Sequence, residues 1–524
     1  MSFDPVASST GAPGRRSPVE TASRESDTAG GPPARRDTYL ARKVRQFDWK
    51  RTALLLLGLA LFFAVYFAPP WPDAVDPAGK HFVLSREGKA AIALFLLTIT
   101  WWVTEVVPIG VTSITIGVMQ ALFLIRPARV AFTDFMDNSV WFIFASVIIG
   151  MVFTRTGLAK RMAYKMLVFV GERTSMIYLG CFVMTAALTH IMAHTAVAAV
   201  VFPLFMSINA LYDETAHQTK FGKGLFVGMA FAAGAGSIIT LLGSARAAVA
   251  IGFFKNMAGR EISFFELSKF MFPLGWTMVF SIWCLMMLFF RPEKKTIPGL
   301  RERARALHAR LGPLSTPEKL AMIIVFLTVV TLSLRSFIAV LEPLDKSGII
   351  LVSTILFFAF KILTIKELEE IPWNIVLLFG GAMSIGYCLW QTGAAEWLAI
   401  QLLVLFTGAH WFFFVLAVAF FVLVMTNFIM NVAVIAISLP VALVLAPYLG
   451  VAPEVIFFSS LATAGMPFML LIGAAPNAIA YESRQFTSGE FFRAGVPASI
   501  WLMLVLAAFI AFVWPLLGMP VLAK

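Results

Sequence analysis

The chain has 524 residues, of which 59% are hydrophobic and only 13% are charged. A soluble domain of this composition would expose large apolar patches, so a soluble fold is excluded and lipid must be the solvent for most of the chain. The net charge of +12 does not indicate a nucleic-acid partner, because Lys and Arg concentrate in short segments between apolar stretches, where they report membrane topology.

Residues 1–50 are rich in Ser, Pro, Gly and Arg and show no apolar periodicity, which predicts a disordered cytoplasmic tail. Beyond this tail, stretches such as 52–69, 90–107 and 500–517 are long enough to cross a bilayer as helices. The pattern predicts an all-α polytopic membrane protein with about 11 transmembrane helices. The three cysteines lie inside apolar runs, so neither a disulfide nor a metal site is expected.

The basic clusters predict how the chain is threaded through the membrane. If residues 42–51 are cytoplasmic, the other basic clusters also fall inside, provided that 176–210 and 411–448 each enter and leave on one face. These two segments are therefore predicted to be re-entrant hairpins. The densest basic run, 291–319, is predicted to be a cytoplasmic linker that separates residues 51–290 from residues 320–524.

An internal repeat relates the two parts of the chain. The segment WFIFASVIIGMVFTRTGLAKRMA at 141–163 resembles the segment at 373–399. Pro203 then corresponds to Pro440, and Gly243 corresponds to Gly473. Because the two hairpins are predicted on opposite faces, the halves are expected to form an inverted repeat, an arrangement common in secondary transporters.

Four helix interruptions are predicted near the bilayer centre. Two are hairpin tips at 193–195 and 430–432, and two fall inside the crossings 224–255 and 455–481. An interrupted helix offers unpaired backbone N–H groups and a partial positive charge to an anion. Irregular backbone is tolerated at this depth only where it lines a cavity, so the interruptions predict an anion site.

The chain also resembles a known family, the divalent anion/sodium symporters, over about residues 50–520. The motifs that carry the resemblance are WWVTEVVP at 101–108, WNIVLLFGG at 373–381, QTGAAEW at 391–397, PNAI at 476–479 and RAGVP at 493–497. The resemblance implies an elevator-type transporter of dicarboxylate, citrate or sulfate, acting as a homodimer in the bacterial inner membrane with a cytoplasmic N-terminus. It implies a small anion and the lipid bilayer as partners, and Na⁺ or H⁺ as coupling ion with no other cofactor.

The resemblance also implies the site residues. Those expected to bind substrate are His194, Thr195, Ser244, Arg246, Met430, Asn431, Val432, Pro476 and Asn477. Those expected to bind a coupling cation, if such a site is retained, are Ala193, Gly243, Asn431 and Gly473.

The sequence departs from the family at these positions. Both family tips usually read Ser-Asn-Thr, whereas here they read Ala193-His194-Thr195 and Met430-Asn431-Val432. Several of the oxygen ligands that a sodium site needs are therefore missing.

Arg246 stands where the family has a proline. It is interpreted either as a fixed cation for the anion or as a side chain that reaches the lipid headgroups. The first interpretation predicts an exchanger or a proton-linked carrier, and sodium symport is the alternative. His194 could bind the anion, titrate, or form a hydrogen bond within the hairpin.

Other classes of function have less support. The chain carries neither a phosphate-binding Gly-Lys-Ser/Thr motif nor a His-Glu-x-x-His motif, so an enzyme is not expected. A transporter-like receptor that does not transport is the alternative from another class, and the altered tips are the feature that favours it.

Overall fold

The computed structural model describes residues 49–76, 79–212, 218–403 and 408–523. The predicted tail 1–50 thus lies outside the described residues, except for its last two positions. The described ranges are almost entirely helical, apart from an antiparallel pair of short strands, β1 (Ala74–Val75) and β2 (His81–Phe82), in which Ala74 pairs with Phe82. The predicted all-α fold is confirmed.

The helices follow one another through both halves of the chain. The first half contains α1 (Trp49–Tyr66), α2 (Arg86–Thr104), α3 (Ile109–Leu122), α4 (Ala128–Thr133), α5 (Asn138–Thr156), α6 (Leu158–Val170), α7 (Thr174–Leu188), α8 (His194–Tyr212), α9 (Lys220–Ser237), α10 (Ala245–Ala258), α11 (Phe264–Phe289) and α12 (Leu300–Arg310). The second half contains α13 (Thr316–Leu334), α14 (Lys346–Ala359), α15 (Ile365–Glu369), α16 (Trp373–Gln391), α17 (Ala394–Leu403), α18 (Trp411–Phe428), α19 (Asn431–Tyr448), α20 (Pro453–Ala464), α21 (Ala475–Tyr481), α22 (Ser488–Ala508) and α23 (Trp514–Leu516). Within the described ranges, nine helical stretches are long and apolar enough to cross a membrane.

Both predicted hairpins and both interrupted crossings are present as helix pairs. Helices α7 and α8 form the first hairpin, and α18 and α19 form the second. The second arm of each hairpin contains an internal proline, Pro203 or Pro440, which removes one backbone hydrogen bond and bends the helix. The first interrupted crossing is α9 and α10, joined by residues 238–244, and the second is α20 and α21, joined by residues 465–474.

Equivalent glycines of the two halves occupy equivalent environments. A Cβ atom at Gly243 would lie 1.8 Å from the carbonyl oxygen of Thr189, and one at Gly473 would lie 2.9 Å from the carbonyl oxygen of Thr426. Thr189 and Thr426 occupy corresponding positions of their hairpins. Each interrupted crossing is therefore pressed against its own hairpin, and only glycine permits this approach.

The basic segment 291–319 is folded against the rest of the protein. It contains α12, which packs on α6, and the guanidinium of Arg161 in α6 donates to Glu318 at 2.9 Å and to the carbonyl of Gly312 at 2.8 Å. The basic residues Lys160, Arg161 and Lys165 lie within α6. They form a helix because Leu158, Ala163 and Leu167 supply a buried apolar stripe beneath them.

A buried polar network fixes α16 against α3. The Nη1 atom of Arg126 donates to Asp134 at 2.7 Å and to the side-chain oxygen of Gln120 at 3.1 Å. The amide of Gln120 donates in turn to the Ser384 hydroxyl at 2.8 Å. Mutual pairing makes such polar groups tolerable inside an apolar interior, and the network sets the position of α16 at the cavity described below.

An ionic cluster joins the loop between α10 and α11 to the second half. Glu261 lies 2.9 Å from the Nζ of Lys346, 3.5 Å from that of Lys255 and 3.6 Å from the guanidinium of Arg335. Burial opposes ionisation of this carboxyl, but the three cations outweigh it and lower the pKa of Glu261.

Candidate functional site

One cavity of about 550 Å³ joins the four helix interruptions. Each interruption contributes residues to its wall: Ala193, His194 and Thr195 from the first tip, Ala245 and Arg246 from the first interrupted crossing, Met430, Asn431 and Val432 from the second tip, and Leu471–Ala475 from the second interrupted crossing. The structure therefore brings together residues that lie more than 200 positions apart in the sequence.

Four helices begin at this cavity. His194, Ala245, Asn431 and Ala475 are the first residues of α8, α10, α19 and α21, and all four line the wall. The first backbone N–H groups of a helix have no partner within the helix, and the helix dipole adds a partial positive charge there. The arrangement is suited to an anion.

Arg246 supplies a full positive charge to the same wall. Its side chain is 2% exposed, and its Nη2 donates to the hydroxyl of Ser237, the last residue of α9, at 2.8 Å. The guanidinium lies against Gly465, where a Cβ atom would be 2.4 Å from Nη2. Arg246 thus lies between the C-terminal ends of α9 and α20, whose dipoles favour a cation. Arg246 lines the cavity with its guanidinium buried inside the protein, and it does not extend toward lipid headgroups.

The first tip presents two polar side chains. His194 and Thr195 are half-buried and line the cavity directly after the turn. The turn is held by the Thr240 hydroxyl, which donates to the carbonyl of His190 at 2.7 Å. The ring of His190 packs edge-on against Trp276 with centroids 5.7 Å apart, which is a structural role.

The second tip is mainly apolar. Met430 and Val432 line the cavity on either side of Asn431. The side-chain oxygen of Asn431 lies 3.5 Å from the hydroxyl of Thr426, which itself donates to the carbonyl of Ala464 at 2.9 Å. These oxygen atoms are of the kind that bind a hard cation.

Four residues that sequence analysis assigned to the site lie behind the wall. Gly243, Ser244, Pro476 and Asn477 do not line the cavity. The amide of Asn477 donates to the carbonyls of Pro467 at 2.8 Å and Leu470 at 3.0 Å, so it fixes the loop 465–474. Gly243 has the packing role described above.

Known proteins resemble the chain over nearly its whole length. The family model for the sodium:sulfate symporter transmembrane region matches residues 50–520. The chain belongs to this family.

Two relatives are sodium-dependent dicarboxylate transporters named SdcS. The one from Staphylococcus saprophyticus is 25% identical over 461 residues, which cover 84% of this chain and 88% of the relative. One from Staphylococcus aureus is 25% identical over 503 residues, covering 91% and 94%.

A solved structure shares the fold. Neisseria gonorrhoeae MtrF, whose structure was described as illuminating a class of antimetabolite efflux pumps, matches with a TM-score of 0.55 at 12% identity. The match covers 93% of this chain and 99% of that chain.

In this symporter-family protein, sequence analysis missed several residues of the site. Thr104 and Glu105 line the cavity, as do Leu378 and Phe379 of α16. Glu105 ends α2 in the left-handed conformation with φ of 46°, which is uncommon for a residue other than glycine. The WWVTEVVP motif drew attention to this segment. The sequence of the segment alone does not show that it packs near the hairpin tips.

Asn427 was also missed, although it does not line the cavity. Its side-chain oxygen accepts hydrogen bonds from the backbone N–H groups of Met469 at 2.8 Å and Leu470 at 3.1 Å. It therefore holds the second interruption from the side of α18. Its position one helical turn before the second tip was the sequence feature that could have identified it.

Proposed function

We propose that the protein is a secondary active transporter of small divalent anions, of the C4-dicarboxylate or sulfate class, in the bacterial inner membrane. The observation that carries the proposal is the cavity at which four helices begin and which the buried Arg246 lines. Membership of the sodium:sulfate symporter family and the printed names of the SdcS relatives support an anion transporter over an enzyme.

Binding of the anion uses the backbone and one side chain. The helix N-termini at His194, Ala245, Asn431 and Ala475 donate N–H groups, and the guanidinium of Arg246, held by Ser237, adds a positively charged donor for a carboxylate or sulfate. Thr195 adds a hydroxyl donor at the first tip. Charge-assisted hydrogen bonds of this kind are roughly twice as strong as neutral ones.

Transport requires the cavity to face each side of the membrane in turn. We propose an elevator movement in which the two hairpins and the two interrupted crossings travel as one body, because the anion contacts all four elements. The protein would act as a homodimer, as in the family that the sequence resembles, with the cytoplasmic N-terminus that the basic clusters predict.

The coupling mechanism follows from the permanent charge of Arg246. A sodium ion leaves its site with the substrate, whereas a guanidinium cannot leave, so the empty cavity retains a full positive charge that the helix dipoles offset only in part. Movement of the empty cavity through the membrane is thereby disfavoured. The protein would act as an anion exchanger, or as a carrier in which a proton replaces sodium.

Sodium symport is the second candidate. It is favoured by the sodium dependence named for the SdcS relatives and by the oxygen atoms of Asn431, Thr426 and Ala464 at the second tip.

Transport by purified protein in proteoliposomes tests these proposals. Labelled succinate and labelled sulfate are supplied outside, with unlabelled anion inside, in sodium buffer and in choline buffer. Counterflow that continues undiminished in choline supports exchange. An absolute requirement for sodium overturns the exchanger and supports the second candidate, and the absence of any anion movement in both buffers overturns transport itself.

A matched pair of variants ties the result to the cavity. Arg246→Gln should lower counterflow by about 100-fold, while Arg155→Gln, which removes an exposed ion pair with Glu370, should leave it unchanged.

A further inference from the structure

The two tips give the cavity two chemically different sides. On the first-tip side, His194, Thr195 and Arg246 are polar or charged. On the second-tip side, Met430 and Val432 face the cavity where the family pattern has Ser and Thr. The backbone architecture is repeated, but the polar side chains are not.

The apolar side extends beyond the second tip. Helix α16 packs against α19, and its residues Leu378 and Phe379 line the same cavity. Phe379 is 2% exposed and Val432 is 7% exposed, so both present little surface. The half-buried Met430 and Ile472, which is 68% exposed, also line the cavity and supply more of its apolar area. A continuous apolar surface therefore faces the position of any bound anion.

A second anionic group finds fewer side-chain hydrogen-bond donors on this side than at the first tip. The side-chain donor on this side is the amide of Asn431, beside the backbone N–H groups at the starts of α19 and α21. Met430 and Val432 offer no side-chain donor, so a carboxylate placed against them would lose its hydration without gaining a side-chain hydrogen bond. Glu105 also lines the cavity, and its carboxylate would repel a second negative group at close range.

The size of the cavity adds an independent argument. Its volume of about 550 Å³ lies within the range of about 300–1,000 Å³ typical of sites for drug-sized ligands. Bare sulfate or succinate would leave much of this volume, including its apolar wall, filled by water.

We infer that the preferred substrate is an organic anion with an apolar substituent. Its anionic groups lie at Arg246 and the N-termini of α8 and α10, and its apolar part lies on the side lined by Met430, Val432 and Ile472. The inference rests on the proposed function, because it names the substrate class of the same site. Burial of the substituent removes apolar area from water on both surfaces, which favours the substituted anion.

Ligand binding in detergent provides the test, because it does not depend on transport. The affinities of purified protein for succinate, phenylsuccinate and sulfate are compared by isothermal titration. Phenylsuccinate should bind at least about tenfold more tightly than succinate, as expected for burial of added apolar groups in an apolar site, and sulfate should bind most weakly. Equal or weaker binding of phenylsuccinate overturns the inference.

Variants of the second tip locate the preference. Met430→Ser and Val432→Thr should each reduce the ratio of phenylsuccinate to succinate affinity severalfold, whereas Met430→Leu should retain it. Val441→Thr is the matched control, since it makes the same exchange on α19 at a position that does not line the cavity. A preference that survives both polar substitutions overturns the assignment to this wall.

Failure of the inference and failure of the proposed function are distinguishable. Counterflow of labelled succinate together with no preference for phenylsuccinate overturns the inference alone. Tight, tip-dependent binding of phenylsuccinate without movement of any labelled anion supports the inference about recognition and overturns transport. If none of the three anions binds, both fall.

Discussion

The two halves of the molecule share one backbone arrangement but stabilise it with different side chains. In each, an interrupted crossing is pressed against a hairpin through a glycine, Gly243 or Gly473. In the first half the interruption carries Arg246 and is held by the hydroxyl of Thr240. In the second half it carries no charge at the cavity wall and is held by the amides of Asn427 and Asn477.

This difference indicates which half binds the anion and which half mainly stabilises its own loop. The second half has amides that satisfy the backbone of its loop, and its cavity face is mostly apolar. The first half offers the charged and polar groups to the cavity. We expect substitutions in the first half to affect anion binding most, and substitutions behind the second tip to affect stability most.

The largest effect is expected at Arg246. Arg246→Gln should lower anion uptake by about 100-fold, because it removes a buried charge-assisted donor worth ~3 kcal/mol. Arg246→Lys should recover part of the loss, since it restores charge without the planar fork. Initial uptake rates in proteoliposomes, with size-exclusion profiles to verify folding, provide the measurement. Uptake by Arg246→Gln close to that of the natural protein would contradict the role given to the first half.

The two equivalent glycines should differ in their tolerance of alanine. Gly243→Ala places a Cβ 1.8 Å from a backbone oxygen, whereas the nearest atom to a Cβ at Gly473 is Cβ of Pro467 at 2.6 Å. We expect a cost of ~3 kcal/mol or more for Gly243→Ala and ~1–2 kcal/mol for Gly473→Ala, measured as a loss of thermal stability in detergent.

Gly489 offers a control for the glycine pair, because a Cβ there would meet no atom within 4 Å. Gly489→Ala should leave the melting temperature nearly unchanged. If Gly473→Ala proves more damaging than Gly243→Ala, the ranking of the two contacts is wrong.

The two loop supports should also differ. Asn427→Leu leaves the N–H groups of Met469 and Leu470 without their acceptor and should cost ~2–3 kcal/mol. Thr240→Val removes one hydrogen bond to the carbonyl of His190 and should cost ~1 kcal/mol. Thermal denaturation of both variants measures the difference, and equal losses would show that the second loop does not depend on its amide.

The smallest effect is expected outside both tips. Glu261 shares no part of the cavity wall, and Glu261→Gln should cost ~1 kcal/mol by weakening its ion pairs with Lys346, Lys255 and Arg335. Because the folded-state pKa of Glu261 is lowered from 4.5, its contribution is complete above about pH 4.5 and is lost as pH falls through the lower folded value. Melting temperatures of both proteins should therefore converge on acidification, and a constant difference across this range would contradict the assignment.

Much of the architecture was predictable because short segments of the sequence specify it. Apolar stretches of membrane length predicted the helices, and the positions of the basic clusters predicted the paired hairpins, which the internal repeat related to each other through Pro203 and Pro440. The glycine correspondence between Gly243 and Gly473 predicted both interruptions. These features depend on local backbone conformation and on whether an apolar stretch is long enough to cross the hydrocarbon core. Each segment specifies both by itself.

The sequence by itself thus determined an all-helical membrane protein with four interruptions and placed Arg246 at one of them. The tertiary structure decided which way Arg246 faces, that Asn477 supports a loop behind the cavity wall, and that Thr104, Leu378 and Phe379 join that wall. The reason is that a cavity is formed by residues from separate helices, and its lining depends on how those helices pack. Local sequence fixes where a helix ends, whereas packing fixes what lies opposite that end.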